Sequence, residues 1–149
     1  MSNLIVNAVL DDAMGDCDAV ALAQRIATGE VSAAEVTEAA IARANKVNPK
    51  LNAIVTDTYQ MARSNADNLR DGVFAGVPTF IKDNSDVAGV PTLNGTRALR
   101  PVPKATNSEF VNQIVSTGLI NLGKSALPEF GIPPTTESFS QGASCNPWN

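Results

Sequence analysis

The residue of this sequence with the clearest capacity for chemistry is Lys82. It ends the apolar run at residues 76–82 (GVPTFIK) and is followed by Asp83 and Asn84, where a turn is expected. Removing a lysine from water disfavours its charged form and allows its amine to accept a proton near neutral pH. The position therefore allows a general base that is shielded from solvent. The alternative, which is the commoner role of a lysine at a strand end, is an ammonium that points to solvent or pairs with Asp83.

The absence of histidine from the sequence narrows the possible chemistry. Ser-His-Asp and Cys-His mechanisms need an imidazole, and so do the ordinary catalytic zinc sites. The remaining groups that can act as a base near neutral pH are carboxylates, lysines and thiolates. Three Gly-containing turns, at Gly89, Gly95 and Gly123, match neither a phosphate-binding loop nor a dinucleotide fingerprint. We therefore expect no metal ion and no cofactor.

Two other residues are weaker candidates for chemistry. Lys124 follows the apolar run at residues 119–122 and adjoins Ser125, which suggests a Ser-Lys pair. Adjacent side chains on an extended segment point to opposite faces, so we expect Lys124 instead to hold a loop in place. Cys145 has no histidine to activate its thiol, and we expect it to take no part in catalysis.

Composition and charge indicate a globular protein that does not bind nucleic acid directly. Of the 149 residues, 44% are hydrophobic and 17% are charged. The formal net charge is −4, and the eleven basic residues form no run, which argues against nucleic acid and anionic membrane surfaces as partners. Two cysteines are too few for a disulfide framework, so a reduced, cytoplasmic setting is expected. Residues 1–10 lack the basic start of a secretory signal, and no stretch approaches the roughly 20 apolar residues that span a bilayer.

Hydrophobic periodicity predicts alternating helices and strands, hence an α/β fold. A capping box of Ser32 and Glu35 is expected to begin one helix, which the Asn48-Pro49 pair should end. A second capping box, Thr106 with Glu109, is expected to begin another. The predicted helices cover residues 16–28, 32–48, 59–69 and 106–118, with Phe110, Ile114 and Val115 of the last one facing inward. The predicted strands cover residues 52–56, 76–82 and 119–122, with long loops at 84–103 and from 131 onward.

Four segments stand together in the order and spacing of a known family. They are residues 29–55 (GEVSAAEVTEAAIARANKVNPKLNAIV), 76–84 (GVPTFIKDN), 123–130 (GKSALPEF) and 135–148, which ends in Asn-Pro-Trp. These segments resemble amidase-signature enzymes, and the resemblance covers nearly the whole chain from Asp16. Within the family, the residues Thr135-Thr136-Glu137 and Asn146-Pro147-Trp148-Asn149 look most similar to those of hydrolases of cyclic amides and oligoamides. The resemblance implies that residues 1–149 are the N-terminal segment of a single mixed-sheet domain, ending before its Gly/Ser-rich serine motif.

The family uses a Ser–cis-Ser–Lys triad, and the resemblance assigns its lysine to Lys82. That lysine would deprotonate a serine held by a cis peptide bond, which would in turn take a proton from the serine that attacks the amide. In the family, both serines belong to the motif that follows the Asn-Pro-Trp block. Ser140 and Ser144 precede that block and therefore do not match them. We therefore expect this chain alone not to hydrolyse amides. By position alone, Phe130 and Gly131 are candidate walls of the substrate pocket.

The expected partner is a small-molecule amide. Strands that lack their neighbours leave open sheet edges and apolar faces, so a homo-oligomer or a complementary C-terminal fragment is also expected. Two other interpretations stay open. One is a non-catalytic binding or scaffold module derived from the family, and the other is the A-type subunit of an amidotransferase that acts on charged transfer RNA.

Overall fold

A computed structural model describes residues 6–148 of the chain. Residues 1–5, which begin the segment considered for a secretory signal, and Asn149 lie outside the described residues. The helices are α1 (Ala19–Ala27), α2 (Ala33–Leu51), α3 (Tyr59–Asp67) and α4 (Glu109–Ser116), and the strands are β1 (Ile54–Asp57), β2 (Pro78–Lys82), β3 (Ile120–Ser125), β4 (Glu137–Ser138) and β5 (Gly142–Ala143). The α/β prediction is confirmed. None of the described helices combines the length and the apolar character needed to cross a membrane.

A three-stranded mixed sheet lies at the centre of the fold. Strand β3 is in the middle, antiparallel to β1 and parallel to β2. The parallel connection from β2 to β3 runs through a long loop and α4, as parallel neighbours require. Within residues 6–148, β1 and β2 are the outer strands, and no described strand pairs with their far edges. Open edges of this kind were expected from the sequence.

Both faces of this sheet are covered by apolar side chains. On the helix side, Ile120 and Leu122 of β3 pack against α2 and α3 through Ala40, Ile41 and Ala62. On the loop side, Ile81 of β2 packs against α4 and the loop that follows β2; the buried partners there are Val87, Val90 and Val111. The sheet therefore separates these two clusters, and a third cluster, of Leu22, Val36 and Val77, lies where α1 and α2 meet the segment before β2.

A β-bulge changes the face of the sheet to which the side chains at the end of β3 point. Thr79 pairs with Asn121, but Ile81 pairs with Lys124, so β3 uses one more residue than β2 over the same stretch. Leu122 belongs to the helix-side cluster, whereas Lys124 stands in the row of Ile81, which belongs to the loop-side cluster. A bulge of this kind redirects the following side chain. Lys124 is thereby turned to the loop side of the sheet.

Helix α2 begins as predicted and ends later than predicted. The Ser32 hydroxyl accepts a hydrogen bond from the backbone N–H of Glu35, whose carboxylate accepts one from the backbone N–H of Ser32, so the capping box is confirmed. The helix does not stop at Asn48 and Pro49 but continues to Leu51 and ends at Asn52, which has a left-handed backbone. The Asn48 side chain accepts hydrogen bonds from the backbone N–H groups of Ala53 and Ile54, which fixes the exit of the chain.

Helix α4 corrects two predictions. Its N-cap is Ser108, whose hydroxyl accepts a hydrogen bond from the N–H of Val111, and not Thr106. The residue that faces the core most fully is Val111, whereas Phe110 is 57% exposed. Ile114 and Val115 pack against the same cluster as Val111, as predicted. Phe110 does not, because it precedes Val111 by one residue and therefore points about 100° away from it around the helix. Strand β3 is also longer than predicted, since it continues through Lys124 to Ser125.

The N-terminal segment is attached to α2 by a partly buried ion pair. Both nitrogen positions of the Arg43 fork donate to the Asp12 carboxylate, at 2.8 and 2.7 Å, and Arg43 also donates to the carbonyl of Gly15 at 2.5 Å. The backbone N–H of Met14 donates to the same carboxylate. The guanidinium of Arg43 and this N–H hold the pKa of Asp12 below its usual value, against the opposing effect of burial.

The Asp12–Arg43 pair predicts an acid-sensitive part of the stability. A carboxylate with a lowered folded-state pKa stabilises the fold above its unfolded pKa, and this contribution is lost as the pH falls through the folded value. Asp12→Asn should therefore lower the free energy of unfolding by about 1–2 kcal/mol at pH 7, and the difference from the parent should shrink below about pH 4. Urea unfolding between pH 2.5 and 7 measures this. Asp11→Asn, an exposed neighbour, is the control, and an equal effect there would contradict the prediction.

Gly123 allows the bulge to form, because a Cβ at this position would lie 2.3 Å from the carbonyl oxygen of Thr56 on β1. Gly123→Ala should push β1 away from β3 and cost at least about 2 kcal/mol of unfolding free energy. Gly89→Ala is the matched control, since a Cβ there would have nothing within 4 Å and only the positive φ of +78° opposes it, at about 1 kcal/mol. Equal losses in the two variants would show that close packing at Gly123 is unimportant.

Candidate functional site

Lys82 is the last residue of β2 and its side chain is exposed. The expectation of a lysine shielded from water is wrong for the described part of the chain. The physical reason is the strand order, because β2 is an outer strand and its far side has no described neighbour. Among residues 6–148, no carboxylate forms an ion pair with Lys82. Of the two forms of the alternative, the described residues agree with the lysine that points to solvent, whereas the pairing with Asp83 is wrong because Asp83 pairs with Lys124.

The buried lysine of this structure is Lys124. Its side chain is 0% exposed, and its ammonium lies 3.1 Å from the Asp83 carboxylate. The ammonium also donates to the hydroxyl of Thr92 at 3.2 Å. Asp83 and Thr92 are themselves buried, with 1% and 5% of their surface exposed. The sequence-based interpretation that Lys124 holds a loop agrees with this geometry.

Asp83 is fixed by its backbone as well as by its side chain. Its N–H donates to the carbonyl of Ser125 on β3 at 3.0 Å, and its own carbonyl accepts from the N–H of Asn94 at 3.1 Å. The N–H of Leu93 lies 3.4 Å from each carboxylate oxygen. The residue that follows Lys82 is therefore attached both to β3 and to the loop at 92–94.

Phe130 and Gly131 lie in a single helical turn, Glu129–Gly131, next to this loop. Phe130 is 52% exposed and has a left-handed backbone with φ of +52°, which is unusual for an aromatic residue. Its N–H donates to the carbonyl of Asn94 at 2.8 Å, and the Thr96 hydroxyl donates to the carboxylate of Glu129. Strained backbone of this kind persists where surrounding contacts determine it.

Asn94 links the Lys82 strand end to the turn that carries Phe130. Its N–H donates to Asp83 and its carbonyl accepts from Phe130, so two candidate site regions share one residue. Asn94 and Thr92 were not predicted as site residues from the sequence, and Asp83 was considered only at the start of a turn and as a partner of Lys82. The Asn94-Gly95 pair is a turn signal that marks a left-handed backbone, and φ is +52° at Asn94 and +65° at Gly95.

The serines and the cysteine near the end of the chain have structural surroundings or lie on the surface. Ser140 donates to the carbonyl of Gly95 at 2.8 Å, and Ser144 donates to the carbonyl of Asn52 at 2.8 Å. Cys145 is exposed and not in a disulfide. Within residues 6–148, no group of three or more histidine, cysteine or acidic side chains could hold a metal ion. The arrangement therefore presents the Lys82 amine, which has no ion pair with the described residues, beside a loop held by the hydrogen bonds of Asp83 and Asn94.

Comparison with known proteins connects this geometry with one family. Residues 35–149 match the protein family described as Amidase. The protein AmiC of Mycobacterium tuberculosis, which is provisionally named as an amidase, is 49% identical over 146 residues, covering 97% of this chain and 31% of AmiC. The 6-aminohexanoate-cyclic-dimer hydrolase of Paenarthrobacter ureafaciens is 36% identical over 135 residues, covering 89% of this chain and 27% of that protein. This chain thus spans about a third or less of the length of these relatives.

Solved structures agree with the sequence matches. A 6-aminohexanoate cyclic dimer hydrolase in complex with its substrate superimposes with a TM-score of 0.85 at 34% identity, covering 89% of this chain and 28% of that one. A fatty acid amide hydrolase gives a TM-score of 0.86 at 20% identity, with 95% of this chain and 27% of that chain covered, which shows the fold alone. The expected mixed α/β architecture is confirmed by both.

The left-handed backbone at Asn94 yields a prediction about the link between the two regions. A β-branched residue is strained at this φ, so Asn94→Val should lower the free energy of unfolding by about 2 kcal/mol. Asn94→Gly, which removes the side chain but suits the backbone, should change it by less than about 0.5 kcal/mol. Denaturant unfolding of the two variants measures the difference. Similar stabilities would exclude a backbone constraint at Asn94.

Proposed function

The chain belongs to the amidase family, and on that premise we propose that it is the lysine-bearing part of an enzyme that hydrolyses amide C–N bonds. The observation that carries the proposal is the placement of Lys82. Its backbone is fixed by β3 on one side and by the anchored Asp83 on the other, while its amine is free of any ion pair with the described residues. A free amine on a rigid backbone is suited to receive a proton from a partner brought to it.

The proposed chemistry is acyl transfer through serine. Lys82 accepts a proton from one serine, which accepts the proton of a second serine as that residue attacks the amide carbonyl. The C–N bond then breaks, the leaving amine takes a proton, and water releases the acyl group from the enzyme. Both serines are supplied by a part of the protein other than residues 6–148. Covering the Lys82 amine with that part would also remove it from water, which the described residues do not do.

The substrate class is proposed from the relatives and from Phe130. The 6-aminohexanoate-cyclic-dimer hydrolase is named for a small cyclic amide with aliphatic carbons. The exposed ring of Phe130 and the adjacent Gly131 would form an apolar wall beside such a substrate, held in place by Glu129 and Asn94. We therefore favour a small, largely apolar amide as the substrate. The proposed reaction uses serine and lysine side chains and needs neither a metal ion nor a cofactor.

A second candidate is the A-type subunit of an amidotransferase. The corresponding subunit of the glutamyl-tRNA(Gln) amidotransferase from a Synechococcus strain is 34% identical over 134 residues, covering 85% of this chain and 28% of that protein. In that case the acyl-enzyme would form in the same way from an amide donor, and the released ammonia would be transferred. Co-purification with further subunits would favour this candidate over a free-standing hydrolase.

The proposed partner surface consists of apolar side chains that the described fold leaves exposed. Ile132, Phe139 and Trp148 are 82%, 89% and 72% exposed, close in sequence to the Phe130 turn. An apolar groove of about 340 Å³ also lies along β2, with Phe80 and Leu122 in its wall. These surfaces support contact with a complementary amidase segment or a second copy of the chain. A cytoplasmic location is part of the same proposal, and the two unpaired cysteines are consistent with it.

Substitution of Lys82 tests the proposed role. In the protein expressed from its complete gene, Lys82→Ala should lower kcat for amide hydrolysis at least about 100-fold, because the proton acceptor is lost. The control is Lys50→Ala, which removes an exposed lysine from the last turn of α2. Release of amine from a panel of cyclic and aryl amides measures the rate. Full activity of Lys82→Ala would exclude Lys82 as the base, and turnover by residues 1–149 alone would contradict the need for further serines.

A further inference from the structure

We propose that Lys124 is a positioning residue for Lys82. The inference rests on the proposed role of Lys82 as the base, and it adds a second lysine that does not contact the substrate. Lys124 acts through the Asp83 carboxylate, which belongs to the residue directly after Lys82. The fold encloses the pair they form, and the backbone connects it to Lys82. The pair supports the end of β2, a strand that has a described neighbouring strand on one side only.

The first observation is that the Lys124–Asp83 pair is fully enclosed. The two side chains are 0% and 2% exposed, and the charged atoms are 3.1 Å apart. Transfer of two charges from water into the protein interior is costly, and a well-packed apolar pair is often at least as stable. Burial of this pair is therefore poorly explained by stability alone. A charge pair does restrict geometry, because each partner must stay within reach of the other.

The second observation is that a β-bulge in β3 brings the Lys124 side chain to Asp83. Regular alternation along β3 would leave Lys124 on the same face as Leu122, against the helices. The bulge moves it to the opposite face, in the row of Ile81 and next to Thr92. Gly123 makes this possible, since a Cβ there would collide with the backbone of Thr56. Several features of β3 thus serve the placement of one ammonium group.

The third observation is that the end of β2 is supported on one side only. Lys82 pairs with Ser125 of β3, and no described strand lies on its other side. Further support comes from Asp83, whose N–H donates to Ser125 and whose carbonyl accepts from Asn94, and from the N–H of Ser85, which donates to the carbonyl of Lys82. Lys124 fixes the side chain of Asp83. Loss of the ion pair would remove this side-chain link between the strand end and β3 and leave the backbone hydrogen bonds and the packing of Ile81 to hold it.

Amide hydrogen exchange tests whether Lys124 holds the strand end. Lys124→Met replaces the ammonium with an apolar group of similar length. We expect exchange at the backbone N–H groups of residue 83 and Asn94 to become at least about tenfold faster, because local opening no longer breaks an ion pair. The N–H of Thr58, bonded to Leu122 on the helix side, is the reference and should change less than about threefold. Equal acceleration at all three sites, or none, would overturn the inference.

A double variant guards against failure to fold. Lys124→Met alone leaves the Asp83 carboxylate buried without its partner, which is strongly destabilising in many proteins. Asp83→Asn combined with Lys124→Met leaves no unpaired charge and keeps an oxygen that accepts from Leu93. This variant should fold and should show the same local acceleration at residue 83 and Asn94. Normal protection there would also overturn the inference.

The kinetic arm distinguishes positioning from general support of the fold. In the protein expressed from its complete gene, Lys124→Met should lower kcat at least about tenfold with KM changed less than about twofold. Added to Lys82→Ala, the same substitution should have no further effect on kcat, because a positioning residue has nothing left to position. Val36→Ala, a buried change in α2, is the control for lost stability and should reduce kcat little.

Each outcome separates the two proposals. A further loss of kcat when Lys124→Met is added to Lys82→Ala would overturn the positioning role and leave Lys82 as the base. Full activity of Lys82→Ala, or no amide turnover by the parent protein, would overturn the proposed function and, with it, positioning for catalysis. In that case the exchange measurement still decides whether Lys124 holds the end of β2.

Discussion

The interaction on which the loop side of this fold depends is the buried ion pair between Lys124 and Asp83. A lone charge in this place would be far more costly than the pair, so neither side chain can leave without a large penalty. The pair connects the central strand β3 with the turn after β2, and Thr92 extends it into the following loop. The position of that loop is therefore determined by charge as well as by its apolar contacts with α4.

The ion pair explains features of the sheet that would otherwise look irregular. A bulge normally weakens a strand ladder, and a glycine in a strand normally weakens it further. Here both are used to carry Lys124 from the helix side to the loop side, while Leu122 stays in the helix-side core. From Asp83 the connection continues through Asn94 to the turn at Phe130. Asp83 and Phe130, which are 47 positions apart in the sequence, are thus both bonded to Asn94.

The parts of this structure that could be predicted from the sequence are those set by local spacing. The capping box at Ser32 and the apolar period of α2 are local, and both were found. The strand order is not local, so the sequence left a shielded and a solvent-exposed Lys82 both open, and the place of β2 as an outer strand decides for the exposed one. The burial of Lys124 depends on a β-bulge, which no short sequence pattern in this chain predicts. The cap of α4 was predicted at Thr106 from a local pattern, whereas the helix begins at Ser108 and places Val111 in the loop-side cluster.

The two lysines have opposite surroundings, and that contrast determines what each can do. Lys124 is enclosed and committed to the ion pair with Asp83, so its ammonium is not accessible to a substrate. Lys82 has a backbone held by β3 and an amine that the described residues leave in water. The base proposed at Lys82 therefore needs another surface that covers it and supplies hydroxyl groups. On this proposal the two lysines divide two tasks: Lys124 holds the geometry from inside the fold, and Lys82 presents its amine at the surface.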